Sequence, residues 1–466
     1  MNKMNNTNKM NRRDFLTKLM LTASATMIAP YAMADDDDDD KYKTTTSSTT
    51  STTTTNVTFT PVTTNITGKN VVIIGAGMAG ATMAKYLRLW GGSGINITLV
   101  EPNAQYTSNI MSNLVLSAGR TLSSLTVTYS NLISKYAITL KQASLVSFDN
   151  TSKQVTLSDG STLNYDRLVF APGIQMDDAY GLTSADYATD FPHAWQAGNQ
   201  TQILANQIFA MQAGDTFLMT IPAKPYRCPP GPYERACLVA DYLKTHGKTG
   251  SKVVVLDENP SIQAEAVNFG NAFSNIHAGW VDYRAGISNI HIDKATRTVS
   301  FTQNGVSNSI SAKVINAIPP HRAPSIMTSL CNGGRWAPVN VLSYESTVTG
   351  MAGVHIIGDA SQTTQPKAGH IANQEAKVCA DAIIRAFQNQ APDPAPLTNS
   401  ACYSPITNST ASWLTGVYQY DTSSKTMRLW SNGAFTDAAV EADSISSKNF
   451  SNMNTWFTTL MSDSFS

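Results

Sequence analysis

Val71-Val72-Ile73-Ile74-Gly75-Ala76-Gly77-Met78-Ala79-Gly80 opens the folded part of this 466-residue chain. The β-branched run suits a strand buried on both faces, and it leads directly into Gly-x-Gly-x-x-Gly. A helical stretch follows from Ala81 to Trp90. A second strand, Ile95 to Val100, ends on Glu101, twenty-one residues after Gly80. Strand, glycine turn, helix, strand and terminal acid at this spacing make a dinucleotide-binding unit. Gly75, Gly77 and Gly80 let backbone amides approach a pyrophosphate at a helix N-terminus, whose partial positive charge favours an anion. Glu101 is placed to accept hydrogen bonds from the adenosine ribose hydroxyls.

Two distant segments point to FAD as the dinucleotide. Leu168-Val169-Phe170-Ala171-Pro172-Gly173 is an apolar strand ending in a turn, and Val354-His355-Ile356-Ile357-Gly358-Asp359-Ala360 is another that ends in Gly-Asp. Asp359 can hydrogen-bond the ribitol of a flavin, and a helix beginning near Gly369 can aim its N-terminus at the ring. A nucleotide-binding domain split by an insertion is the pattern of glutathione-reductase-like flavoproteins that hold two dinucleotides.

The insertion, residues 182–322, has its own α/β pattern, with strands at Thr216 to Ile221 and Val253 to Asp257 and a helix over Pro232 to His246. It reads as a second Rossmann-like unit without the glycine fingerprint. Its turn, Pro222-Ala223-Lys224-Pro225-Tyr226-Arg227-Cys228-Pro229-Pro230-Gly231-Pro232, contains five prolines. Each removes a backbone donor, the opposite of a phosphate cradle, so NAD(P)H is a poor electron donor for this chain. The expected architecture is α/β, two Rossmann-like dinucleotide-binding domains plus a C-terminal α+β region. FAD-binding parts fall at 69–181 and 323–395, the second Rossmann-like domain at 182–322, and a C-terminal interface domain at 396–466.

The chain begins differently. Residues 1–34 read as an export signal: a basic start, Arg12-Arg13-Asp14-Phe15-Leu16, a modest apolar stretch, and Ala32-Met33-Ala34 as a cleavage site. Adjacent arginines before Phe-Leu resemble the twin-arginine signal, which implies a periplasmic protein; the alternative is an ordinary secretory signal. The apolar stretch is too short to span a bilayer, so the mature chain has no transmembrane segment in this reading. Asp35 to Asp40 are all acidic and Thr44 to Thr55 are all Ser or Thr, so 35–68 reads as a disordered tether. Over the whole chain 33 basic residues balance 33 acidic ones, which leaves no surplus to grip nucleic acid.

Five cysteines are present: Cys228, Cys237, Cys331, Cys379 and Cys402. Cys237 and Cys379 share helical faces with apolar neighbours and read as buried thiols, whereas Cys331 lies in a Gly-rich loop and is ambiguous. No pair has zinc or haem spacing, so no metal site is expected. Cys228 stands in the proline-rich turn where a substrate would meet the flavin. Composition gives a pairing with Cys402 little weight.

Arg227-Cys228-Pro229-Pro230-Gly231-Pro232-Tyr233-Glu234-Arg235 resembles the signature of the flavoprotein subunit of flavocytochrome c sulfide dehydrogenase, a family related to sulfide:quinone oxidoreductases. Pro192-His193-Ala194-Trp195-Gln196-Ala197-Gly198, Ile318-Pro319-Pro320, Pro366-Lys367-Ala368-Gly369 and Cys402-Tyr403-Ser404 extend the resemblance over residues 69–466. The resemblance implies a redox-active disulfide above the flavin between Cys228 and Cys402, and gives Glu234 a proton-handling role; the simpler reading of Glu234 is a helix N-terminal carboxylate answering the dipole. It also implies that sulfide opens the disulfide and that electrons pass through FAD, with Lys367 and Gly369 at the helix that faces the flavin. Members often attach FAD through a cysteine after Tyr-Thr, but this chain reads Tyr106-Thr107-Ser108-Asn109-Ile110-Met111-Ser112-Asn113, with no thiol. Noncovalent FAD is therefore expected.

The C-terminal segment, 449–466, has apolar residues but no basic ones, unlike the membrane-dipping helices of quinone-linked relatives. A separate c-type cytochrome subunit is the expected acceptor, with quinone reduction the alternative. A non-catalytic FAD-binding redox sensor is the rival of another class, and it predicts flavin that sulfide does not bleach.

Overall fold

A computed structural model describes residues 63–466; the expected signal, and the tether as far as residue 62, lie outside the described residues. The first described strand is β1, Lys69–Ile74, followed by helix α1, Met78–Gly91, and strand β2, Ile95–Val100. Strands β3, Thr139–Lys141, and β4, Arg167–Phe170, come next. The chain then builds β5, Thr216–Ile221, α2, Gly231–Thr245, β6, Lys252–Asp257, β7, Val281–Arg284, and β8, Val314–Ala317. It returns through β9, Val354–Ile356, to α3, Gly369–Phe387. Strands β10, Leu397–Pro405, and β11, Ala411–Asp421, and helix α4, Ser447–Phe465, complete it.

In the first sheet the parallel strands run β3-β2-β1-β4-β9, with antiparallel strands continuing beyond β9. The register pairs Ile74 with Val100 on one side and with Phe170 on the other. The last of these five parallel strands in sequence, β9, is hydrogen-bonded to β4, so the parallel part of the sheet is completed only after the long excursion through residues 171–353. Val71, Val72, Ile73 and Ile74 are all buried; α1 packs on β1 and β2, and α3 packs on α1.

Part of the expected tether is ordered by packing. Ile66 is only 5% exposed and Thr64 Oγ1 donates to Gly91 O at 2.7 Å, so the folded chain starts before Gly68. An apolar side chain with a groove beside Gly91 and Gly94 to fill does not stay in solvent.

The second sheet is parallel, in the order β7-β6-β5-β8. One face buries Leu218, Val254 and Ile315 against Ile287, Val299 and Phe301 of an antiparallel three-stranded sheet. The C-terminal region is an antiparallel sheet led by β10 and β11, with α4 lying across it and against α1. Lys85 Nζ closes the C-terminal end of α4 by donating to the carbonyls of Ser462, Asp463 and Ser466 at 3.1, 2.9 and 2.6 Å. A cation at a helix C-terminus is favoured by both the free carbonyls and the dipole. Among the described residues no helix is long and apolar enough to cross a membrane.

Candidate active site

A cavity of about 730 Å³ starts at the C-terminal ends of β1 and β2 and runs to the N-terminus of α3, the head of α2 and strand β10. Gly75, Gly77 and Glu101 line one end, and Cys228, Glu234 and Cys402 line the other. Gly173, Gly358, Asp359 and Gly369 lie along it as well.

The glycines act in three different ways. Gly75 has φ +96°, and a Cβ there would stand 2.5 Å from Ala171 O, so it makes the turn and the close crossing. A Cβ at Gly80 would fall 1.8 Å from Gly75 O, so this glycine seats α1 on the sheet and does not line the cavity. At Gly77 a Cβ would meet only Tyr106 Cε2, at 3.8 Å, which leaves the backbone open to the cavity. The first amides of α1 have no partner within the helix, and Gly77, Met78 and Ala79 present that turn to the space. Glu101 accepts from Ala76 N at 3.0 Å through one oxygen, and from Asn103 N and Nδ2 at 3.0 and 2.7 Å through the other. Its carboxylate is thus held at the rim. An open-backbone helix start with an acid beside it fits the pyrophosphate and ribose of a dinucleotide such as FAD.

Asp359 does not wait free for a ligand. Arg227 Nε donates to its Oδ2 at 2.6 Å, and Arg227 Nη1 donates to Trp195 O at 3.2 Å. The arginine thereby ties the proline-rich turn to the end of β9. Lys367 departs from the expectation. It is not among the residues lining the cavity; its Nζ donates to the carbonyls of Asp359 and Ser361 at 2.8 and 2.9 Å and lies 3.8 Å from the Trp336 ring centroid. Burial pushes that ammonium below its ordinary pKa, and neighbouring carbonyls satisfy it more readily than a ligand across the turn.

The proline-rich turn hands its backbone donors to the protein. Ala223 N donates to Glu258 Oε2 and Lys224 N to Asn259 Oδ1, at 3.2 and 3.0 Å. Arg227 N donates to His321 Nε2 at 2.6 Å and Cys228 N to Lys367 O at 2.8 Å. Since His321 Nδ1 faces Pro319 O at 3.1 Å, the imidazole carries its proton on Nδ1 and accepts with Nε2. At the end of β6, Asp257 Oδ2 accepts from Tyr233 and Tyr283 hydroxyls at 2.8 and 2.9 Å. The place where a second dinucleotide would meet this sheet is occupied by the protein's own side chains.

Around the cysteines the cavity is lined by one carboxyl group, Glu234, and two arginines, Arg227 and Arg235. Cys228 has φ +58°, and both it and Cys402 are free thiols here. Burial pushes the Cys228 thiol up, with Cys402 and Glu234 adding to the effect and Arg227 opposing it. Burial, then Glu265, pushes Cys402 up to about 12. Glu234 is buried, accepts from Asn113 Nδ2 at 2.9 Å, and is raised by burial to about 8. Next to it Arg235, 1% exposed, donates to Asn113 Oδ1, His193 O, Asn316 Oδ1 and Ala194 O at 2.7–2.9 Å.

Sequence reasoning did not assign Asn113, Arg235 or Glu265 to the site. Arg235 and Asn113 each close a quoted stretch and so had a signal; a lone Glu before a short helix had none. Of the two residues that replace the family's attachment cysteine, Asn109 lines the cavity, where its Oδ1 accepts from Ala197 N at 2.5 Å. Ser108 is fully buried behind it. Cys237, Cys331 and Cys379 are buried away from the cavity.

Three family patterns match this chain. Residues 69–199 match pyridine nucleotide-disulphide oxidoreductases. Residues 201–319 match the central part of the sulfide dehydrogenase (flavocytochrome c) flavoprotein chain, and residues 394–465 match the flavin-binding part of flavocytochrome c sulphide dehydrogenase. The fold is similar to that of the sulfide:quinone oxidoreductase of the hyperthermophilic bacterium Aquifex aeolicus, with TM-score 0.68 and 16% identity over 85% of this chain and 92% of that one. It is also similar to the NDH2 of Plasmodium falciparum solved with NADH, with TM-score 0.61 and 10% identity over 85% and 96%. The covalent putidaredoxin reductase–putidaredoxin complex gives TM-score 0.56 and 17% identity over 85% and 94%.

Proposed function

Since the chain belongs to the flavoprotein family of flavocytochrome c sulfide dehydrogenase and is an FAD-dependent oxidoreductase of sulfide oxidation, we propose that Cys228 and Cys402 form its sulfide-reactive disulfide. The observation that carries this reading is that a turn before α2 and a strand from the C-terminal region bring these two cysteines to one end of the dinucleotide cavity. Burial resists ionisation of both thiols; a disulfide carries no charge and suits the same surroundings.

Hydrosulfide attacks the disulfide, so that one S–S bond forms as another breaks, leaving a persulfide on one cysteine and a thiolate on the other. Bound FAD supplies the acceptor for the electron pair released when one sulfide sulfur is oxidised to the elemental level and the disulfide is restored. Glu234, in the first turn of α2, holds the proton that the persulfide sheds: an S–H bond breaks and a carboxyl O–H forms. Asn113 keeps that carboxyl oriented, and the buried Arg235 beside it keeps a positive charge near the Cys228 sulfur. FAD is held noncovalently, by Gly75, Gly77, Glu101, Gly173, Gly358, Asp359 and Gly369.

The electrons go on to a c-type cytochrome subunit after export of the protein to the periplasm. In support, α4 buries Met453, Phe457, Leu460 and Met461 within the protein, leaving that face unavailable for a lipid surface. Anaerobic addition of sulfide to the FAD-loaded protein tests the reading. The expected result is rapid bleaching of the flavin absorbance, lost in both Cys228→Ser and Cys402→Ser, and reoxidation by cytochrome c. Absence of bleaching with the disulfide intact overturns it, and reoxidation by a soluble quinone alone replaces the acceptor.

A further inference from the structure

We propose that Glu265 is the proton-holding partner of Cys402, so that each cysteine of the pair is attended by its own buried carboxyl group. This rests on the reading of Cys228 and Cys402 as the reactive pair.

The register of β10 and β11 sets the geometry. Ser404 stands opposite Ser412, and two residues along Cys402 stands opposite Leu414. Side chains two apart on a strand share a face, so Cys402, Ser404, Ser412 and Leu414 look the same way. Glu265 closes onto this face: its Oε1 accepts from Ser404 Oγ at 2.5 Å. The residue is 2% exposed; its Oε2 and Ser412 Oγ are both buried with no well-formed hydrogen bond among the described residues, although the Ser412 hydroxyl is near enough to pull the Glu265 carboxyl down against burial. A buried carboxyl oxygen left unpaired is costly. Glu265 also holds φ +52°, a left-handed conformation that a side chain disfavours, just before the short helix Ala266–Asn271.

The ionisable groups that face Glu265 are Cys402 of β10, Glu234 and Cys237 of α2, and Glu441 of the short strand paired to β11. All are acids. Burial, with Glu441 adding to it, raises Glu265 to about 7, so the group exchanges its proton near neutrality. In the step assigned to it, an O–H bond on Glu265 breaks and an S–H bond forms on the Cys402 thiolate that opening of the disulfide leaves. Only a proton moves and no redox change occurs. Glu234, tethered by Asn113 on the same helix as the Cys228 turn, cannot use the Ser404 rung. Glu265 does not line the cavity; it exchanges its proton with Cys402 from the β10–β11 side.

The test uses the FAD-loaded full chain with Glu265→Gln, Ser404→Ala and, as a control, Glu234→Gln. The first measurement is anaerobic flavin bleaching by sulfide from about pH 5 to about pH 9. Glu265→Gln is expected to slow it about tenfold or more and to remove an inflection near pH 7 that Glu234→Gln retains. The second measurement is the infrared difference spectrum between the disulfide form and a dithiol form made with a phosphine. The wild type is expected to show a shift in a protonated-carboxyl C=O band that Glu265→Gln lacks. Ser404→Ala moves that band without deleting it, which separates the role from a folding defect. Wild-type bleaching, pH profile and infrared difference in Glu265→Gln overturn the proposal. If sulfide does not bleach the wild type, the functional reading falls, and the infrared measurement alone decides whether Glu265 senses Cys402.

Discussion

Glu234 occupies the first turn of α2, where a carboxylate is favoured by the helix dipole, yet burial dominates and raises it to about 8. The sign for stability follows from linkage. An unfolded chain ionises this group near its ordinary value, whereas the folded chain keeps the proton until about pH 8. Between those limits the folded state binds more protons, so the stabilising contribution is fully present at low pH and is lost as pH rises through about 8. Glu234→Gln is therefore expected to gain stability relative to the wild type as pH rises towards 8, measured by denaturant melts across that range. The same residue scale shows what one-dimensional reading can see. Gly75, Gly77 and Gly80 were legible from their spacing: a side chain would clash at Gly75 and Gly80, and at Gly77 its absence leaves the backbone open. Asp359 was legible as an acid after a strand, but its capture by Arg227 was not, because the two lie far apart in sequence. The side chain of Lys367 points to carbonyls of its own turn, a choice no motif records.

At the scale of elements, α4 is the part whose role depends most on packing. Its sequence has apolar residues at helical spacing, which equally suit a membrane surface or a protein groove. Lys85, Lys377 and Tyr86 decide for the groove: Lys377 pairs with Asp463 at 2.8 Å and Tyr86 donates to it at 2.5 Å. Phe465, the last residue of the helix, stacks on Tyr106 at 4.9 Å between centroids, and Tyr106 lines the cavity. Phe465→Ala is expected to cost about 3 kcal/mol and to weaken FAD retention. Denaturant unfolding and the flavin released on gel filtration check both. By contrast, β1, α1 and β2 needed no tertiary information, since a β-branched run, an Ala-rich helix and a glycine turn declare themselves locally.

Across the whole molecule, two parallel sheets have diverged in use. The first keeps an open helix start beside Glu101. In the second, the corresponding end of β6 is filled by Tyr233, Tyr283 and Asn259 around Asp257, and the turn after β5 sends its amides into the protein. NADH is accordingly expected not to reduce the flavin of the loaded protein under anaerobic conditions, whereas sulfide does; stopped-flow absorbance distinguishes them. The proline content of the turn made the missing phosphate cradle visible beforehand. The tyrosine plug was invisible, because it joins α2, β6 and β7 across the sheet.

The sequence by itself determined the dinucleotide unit, strands β1, β2, β4, β5, β6 and β9 with helices α1 and α2, the family and its cofactor. Each of these rests on short-range periodicity, or on motifs whose residue types have few alternative uses. Only the tertiary structure decided that Glu265 joins Cys228, Cys402 and Glu234, that Ile66 belongs to the folded part, and that Lys367 turns away from the cavity. Those outcomes depend on which distant surfaces pack together and on which polar groups lose water when they do, and neither quantity is encoded in the spacing of residues along the chain.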